Sequence, residues 1–282
     1  MMTMDRISAR CLTAYARRLH LEERSAGTIE KYLRDTEAFA AWLDGRAVTR
    51  ELAAEWKAVL LDRGLAPATI NSMLAAVNGL LEFLGRGECR VKFLKVQRCL
   101  FREADRELTR PEYERLLAAA RARGRERLAL LMETLCATGI RVSEVRYLTV
   151  EAARRGRAEI SLKGKIRTIL IPGKLCRKLL QFAKKNKTVS GEIFLTRNGT
   201  SLSRRQIWAE LKRLCRYAGV EPSKVFPHNL RHLFATTFYR ACRDIARLAD
   251  VLGHSSIETT RIYLVTSGTE HARQLEQLRL VL

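Results

Sequence analysis

The chain has 282 residues, enough for two modest domains, and its 47% apolar content is enough to build a core in each. Its 52 Lys and Arg against 30 Asp and Glu leave a formal net charge of +22, which points to a polyanionic partner: nucleic acid first, an anionic membrane surface second. No stretch is apolar and long enough to span a bilayer. Asp5, Arg6, Arg10, Arg17 and Arg18 interrupt the first twenty residues, so no secretory signal is expected there, and the chain reads as cytoplasmic. The seven cysteines are scattered and never form a C-x-x-C pair, which argues against a disulfide framework and against structural zinc.

The front of the chain reads as helices. After Ser25, apolar residues recur at Ile29, Tyr32, Leu33, Phe39 and Leu43 with helical spacing. Glu51 to Asp62 forms a second stripe through Leu52, Trp56, Val59 and Leu60. A third helix follows Pro67, with Ile70, Met73, Leu74, Val77, Leu80, Leu81 and Leu84 on its stripe, and Gly85 closes it. Short helices with arginines on their outer faces predict a compact bundle over residues 1–88.

Between Gly87 and Leu108 the periodicity lapses and cations crowd in: Arg90, Lys92, Lys95, Arg98, Arg102 and Arg106. Residues 89–107 read as a basic linker, either lying along a phosphate backbone or simply solvated. Thr109-Arg-Pro-Glu112 is a capping box and opens a second domain, residues 108–282. Helices are expected over 110–122 and from Glu126 to Thr138, where Gly139 stops the chain. Val150–Glu151, Glu159–Leu162 and Thr168–Pro172 read as short runs of a small antiparallel sheet around Gly164. The remainder is helical: Ser203-Arg-Arg-Gln206 caps a helix to Gly219, two more run over His228–Arg240 and Arg243–Leu252, and Ser255-x-x-Glu258 caps a last one reaching Tyr263.

Four segments carry chemistry. Arg141, in Ala-Thr-Gly-Ile-Arg-Val-Ser-Glu, follows a helix-ending glycine; a guanidinium at such a corner can fork onto a phosphate, with Glu144 as its brace. Ser161-Leu-Lys-Gly-Lys-Ile-Arg-Thr168 places Lys163 and Lys165 on either side of a turn, where an ammonium can reach a groove and protonate a leaving alkoxide; Lys163 is preferred because it precedes the glycine. His228 and Arg231, spaced i, i+3, share a helix face, and His232 is assigned to the core. His254 lies in a turn between helices, with Tyr263 two turns further on. A phenol is a poor nucleophile unless cations surround it and its target. Singly, these read as a surface arginine, a basic hairpin, a common H-x-x-R and a packed aromatic; together and in this order they are hard to obtain by chance.

ATGIRVSE, SLKGKIRTILIP, PHNLRHLFA and LGHSSIETTRIY resemble the signature of tyrosine recombinases, the phage-integrase type. The resemblance covers nearly the whole chain. It implies a mainly α protein: a SAM-like helical core-binding domain, then an α+β catalytic domain with a small antiparallel sheet. It further implies site-specific cutting and rejoining of double-stranded DNA through a 3′-phosphotyrosyl link, passing a Holliday junction. Tyr263 is then the nucleophile, Arg141 and Arg231 the phosphate clamp, His254 a donor to the phosphoryl group and His228 a proton acceptor. Lys163 is the acid for the leaving 5′-oxygen, although the turn is shorter than usual and leaves Lys165 open.

No cofactor or metal is expected, since the covalent link conserves the phosphodiester's energy and the sequence shows no P-loop or Cys/His cluster. The resemblance implies a homo-tetramer on DNA, near the nucleoid, with a directionality factor as an optional partner. The tail, about 266–282, carries Ala272, Leu275, Leu278, Leu280 and Val281 and is expected to pack on a neighbouring protomer. Expected DNA contacts are Arg90, Lys92, Lys95, Arg98, Lys165, Arg167, Arg204 and Arg205. Two related readings are a type IB topoisomerase and a silent DNA-binding protein; the full residue set argues against the second.

Overall fold

The computed structural model describes residues 6–96, 107–162, 165–254, 256–263 and 276–277. Arg98, Lys163, Gly164, Ser255 and nearly all of the expected tail lie outside the described residues, as do Arg102 and Arg106 of the expected linker. The chain divides into two compact units, Met1–Arg98 and Cys99–Leu282. No helix among the described residues is long and apolar enough to cross a membrane.

Among the described residues the first unit has four α-helices, α1 (Ala9–Leu21), α2 (Ala26–Leu43), α3 (Arg50–Asp62) and α4 (Pro67–Phe83), and a 3-10 turn at Gly87–Cys89. Ser8 and Thr49 cap α1 and α3 with their hydroxyls, and Pro67 opens α4 where its missing N–H costs nothing. The apolar stripes face one core built on Phe39, Trp56, Leu60, Ile70, Leu74 and Leu81. The Trp42 and Trp56 rings pack 5.4 Å apart at 44°. A smaller cluster joins Tyr15 and Leu19 of α1 to Ile29 and Leu80. Gly79 permits that approach, because a Cβ there would lie 2.5 Å from the Tyr15 hydroxyl.

The start of the expected linker belongs to this unit. Asn78 accepts from Val91 N–H and donates to its carbonyl, both at 2.9 Å. Asn71 does the same for Leu94, at 2.7 and 2.9 Å. Each amide acts as a strand partner would, so 90–94 is fastened to α4 rather than running free.

The second unit begins with α5 (Arg110–Ala122), opened by the expected capping box, worth ~1 kcal/mol. There follow α6 (Glu126–Thr138), a 3-10 turn (Val142–Tyr147), α7 (Val150–Arg155), the hairpin β1 (Arg157–Leu162) and β2 (Lys165–Leu170), then α8 (Gly173–Lys185), α9 (Arg204–Ala218), α10 (Pro227–Cys242), α11 (Ile245–Leu252) and α12 (Ile257–Arg261). α6 is buried over most of its surface, packs on α5, α8 and α10, and anchors a core running through Leu128, Leu131, Leu135, Leu179, Leu211 and Leu230.

Three expectations are corrected here. Val150–Glu151 is helical, because the Thr149 hydroxyl caps Ala152 N–H and Gly156 ends the turn left-handed. The cap of the last helix is Ser256, whose hydroxyl accepts from Glu258 N–H at 3.2 Å. That helix ends at Arg261, so Tyr263 sits in the turn just beyond it, held by its N–H on the Thr260 carbonyl at 3.0 Å.

Candidate active site

Gly139 ends α6 in the left-handed region, at φ 62°, and a Cβ there would strike the Phe234 ring. The chain turns sharply and delivers Arg141 in extended backbone at the start of the 3-10 turn. Buried Glu144 accepts from Arg141 twice, from its backbone N–H at 2.7 Å and from Nη1 at 3.1 Å. The guanidinium stays partly open on the far side, as a phosphate ligand requires.

Glu144 also holds Arg167 Nη2 at 2.5 Å. Arg167 was expected at DNA; it lies on the inward face of β2, opposite Ile160, and is half-buried. Burial pulls its pKa down, and the Glu144 carboxylate opposes that shift. The outward face of β2 shows Ile166 and Leu170, exposed by 78% and 76%.

α10 supplies His228 and Arg231. Arg231 is buried and donates to the Gly139 carbonyl, to the Leu252 carbonyl at 2.9 Å and to His254 Nε2 at 2.9 Å. Burial lowers its pKa, and the Tyr263 hydroxyl works against that. His254 follows the left-handed Gly253, and its Nδ1 lies 2.8 Å from Thr260 Oγ1. Desolvation first, then the positive charges of Arg231, Arg141 and Arg167, push its pKa down to about 4. The ring is therefore neutral at pH 7.

Tyr263 is 3% exposed and surrounded by imidazoles. His254 stacks on it at 5.9 Å and 11°, His228 lies at 6.1 Å, and His232 is nearest at 5.2 Å. His232 is buried, as expected of a core residue, but it packs on Tyr263 and faces Glu107 at 3.9 Å.

Arg141, His228, Arg231, His254 and Tyr263 thus border one cavity of about 480 Å³. Arg204 and Trp208 of α9 also line it; the Trp208 indole, 48% exposed, carries the Lys212 ammonium 5.3 Å from its ring centre. A larger cleft of about 1310 Å³ in the first unit, beside Tyr15, holds no comparable set. Arg205 is exposed on α9 and is not among the lining residues. Lys165 pairs with Leu162 across the hairpin. Arg90, Lys92 and Lys95 are exposed on the first unit, with Arg90 bound to Glu82 at 3.0 Å.

Sequence reasoning missed the inward turn of Arg167, the contact of His232 with Tyr263, and the roles of Trp208 and Thr260. Only Trp208 left a signal: it stands four residues after Arg204, on the same helix face.

Comparison with known proteins gives the family. The phage integrase family matches residues 106–269, and the phage integrase N-terminal SAM-like domain matches 12–88. The chain belongs to the phage integrase family: it is a tyrosine-type, site-specific DNA recombinase. It is 30% identical to the tyrosine recombinase XerA of Pyrococcus furiosus, over 95% of each chain. It is 32% identical to XerD of Caulobacter vibrioides, over 99% of this chain and 93% of that one. In fold it is similar to XerH recombinase in a post-cleavage complex with a palindromic difH substrate (TM-score 0.71, 21% identity, 97% and 84% covered). It is likewise similar to a lambda integrase dimer bound to a COC′ core site (TM-score 0.71, 19% identity, 91% and 94% covered).

Proposed function

We propose that Tyr263 cuts double-stranded DNA at a specific recombination site, with Arg141, His228, Arg231 and His254 as the groups that act on the scissile phosphate. The observation that carries this is the position of Tyr263: it is packed among His228, His232 and His254 and borders one cavity with Arg141 and Arg231.

The Tyr263 oxygen attacks phosphorus, the bond from phosphorus to the 5′-oxygen breaks, and a 3′-phosphotyrosyl link forms. Arg141 and Arg231 stabilise the charge that builds on the non-bridging oxygens. His228, at the open mouth of the cavity, takes the phenol proton. Lys163, or Lys165 across the turn, protonates the departing 5′-oxygen. Rejoining reverses these steps with the 5′-hydroxyl of another strand. Each phosphodiester broken is matched by one phosphotyrosine formed, so the exchange needs no external energy source.

DNA engages the cationic groups of both units, Arg90, Lys92, Lys95 and Arg98 in the first and Arg204 and Arg205 in the second. The functional form is a homo-tetramer on two duplexes, with the tail about 266–282 packed on a neighbour. Deleting the chain after Val265 lowers tetramer formation more than DNA binding; unchanged assembly refutes the tail exchange.

The test is a nicked suicide substrate carrying the recombination site. Wild type gives an SDS-resistant protein–DNA adduct without added nucleotide, and Tyr263→Phe gives none. An adduct that survives in Tyr263→Phe means a different nucleophile, with Tyr239 next to examine.

A further inference from the structure

His254 is held at both ring nitrogens. Nε2 lies 2.9 Å from Arg231 Nη2 and Nδ1 lies 2.8 Å from Thr260 Oγ1. A guanidinium has donors only, so Nε2 must be the acceptor and carry no proton. The neutral ring then has its proton on Nδ1, which donates to the Thr260 hydroxyl. The tautomer follows from the partners, as second-layer hydrogen bonds dictate for histidines generally.

Thr260 is anchored twice over. Its side chain is fully buried, at 0% exposure. Its carbonyl accepts the N–H of Tyr263 at 3.0 Å, and the Tyr263 ring lies parallel to the His254 ring at 5.9 Å. One residue therefore bonds the side chain of the histidine and the backbone of the nucleophile, and those two rings stack on each other. A hydroxyl also suits Nδ1 in either protonation state of the ring, because it accepts from Nδ1–H in the neutral and the cationic form alike.

We propose that Thr260 is a positioning residue for DNA cleavage: its hydroxyl orients His254, with Nδ1 protonated and Nε2 turned to Arg231 and the phosphoryl pocket, in register with Tyr263. The inference rests on the reading of His254 and Tyr263 as catalytic. When a phosphoryl oxygen takes up Arg231, Nε2 is freed to take a proton from solvent and donate it as a hydrogen bond to that oxygen, while Nδ1–H stays fixed on the Thr260 hydroxyl. Without the hydroxyl, the desolvated Nδ1–H has no acceptor and the ring leaves its place.

The experiment is single-turnover cleavage of the suicide substrate, alongside DNA affinity, by wild type, Thr260→Val, Thr260→Ser, His254→Gln and the double variant His254→Gln/Thr260→Val. Valine keeps the shape and removes the acceptor. The expected result is a ~10–100-fold slower cleavage in Thr260→Val with affinity unchanged, as for outer partners of site histidines. Thr260→Ser restores most of the rate, and Thr260→Val costs nothing further once His254 is glutamine. A wild-type rate in Thr260→Val, no rescue by serine, or additive losses in the double variant overturns the proposal. If the valine variant fails to fold, Thr260→Ala against Thr260→Ser makes the same comparison. The two readings fail separately: no adduct from wild type sinks the catalytic assignment, whereas a wild-type adduct with an indifferent Thr260→Val sinks only the role of Thr260.

Discussion

Glu144 grips Arg167 at 2.5 Å while the same carboxylate holds Arg141 at 3.1 Å. One buried negative charge thus stands between two guanidiniums. Removing it leaves a half-buried Arg167 unpaired beside Arg141. Glu144→Ala is expected to destabilise the second unit by about 3–5 kcal/mol, the range for breaking a buried pair from one side. Urea unfolding measures this. Glu144→Gln, which keeps the shape and one acceptor, should cost less. Equal stability of wild type and Glu144→Ala would show that the carboxylate does not bear on the two arginines.

Gly139 is the second structural test. Its positive φ and its contact with Phe234 leave no room for a Cβ. Gly139→Ala should lower stability by at least ~1–3 kcal/mol, read as a shift in the denaturation midpoint. It should also impair cleavage, because the Gly139 carbonyl is an acceptor for Arg231.

Folding lowers the His254 pKa from its ordinary 6.5 to about 4. As pH falls through that window, the unfolded chain takes up the proton first. The stability that accompanies the neutral ring is therefore complete above about 6.5 and is lost as pH falls towards 4. A histidine NMR titration of DNA-free protein should find His254 still neutral at pH 6. His254→Gln should flatten this part of the stability profile; an unchanged profile would mean that the ring does not titrate as described.

Affinity for DNA should fall steeply with salt, with a log–log slope near −0.9 per phosphate neutralised. Arg204 lines the cavity that Tyr263 borders, from α9, and is exposed. Arg204→Ala should reduce that slope by about one and weaken binding evenly across sequences if it meets a phosphate. A loss confined to one base position would mean instead that Arg204 reads a base edge.

Much of this was legible from local pattern. The helical stripes around Trp56 and Leu74, the capping boxes at Thr109 and Ser203 and the stop at Gly139 are short-range signals, and the structure forms them. The brief run at Val150 misled, because one β-branched residue at the start of a six-residue helix looks like a strand until the Thr149 cap is considered.

Sequence alone marked out the two-part order of the fold and picked Arg141, His228, Arg231, His254 and Tyr263 as candidates, which the structure brings to one cavity, because residue type, spacing and helix punctuation act within a few residues along the chain. Tertiary structure decided what those residues lean on. β2 has apolar side chains on both faces, Ile169 buried and Ile166 exposed, so alternation could not say that Arg167 turns inward. Its partner Glu144 is 23 positions away, as Leu94 is from Asn71. The stack of His254 on Tyr263 likewise needs α10, α11 and α12 already packed. Such pairs are set by which surfaces meet when the core closes, and that depends on the whole chain at once.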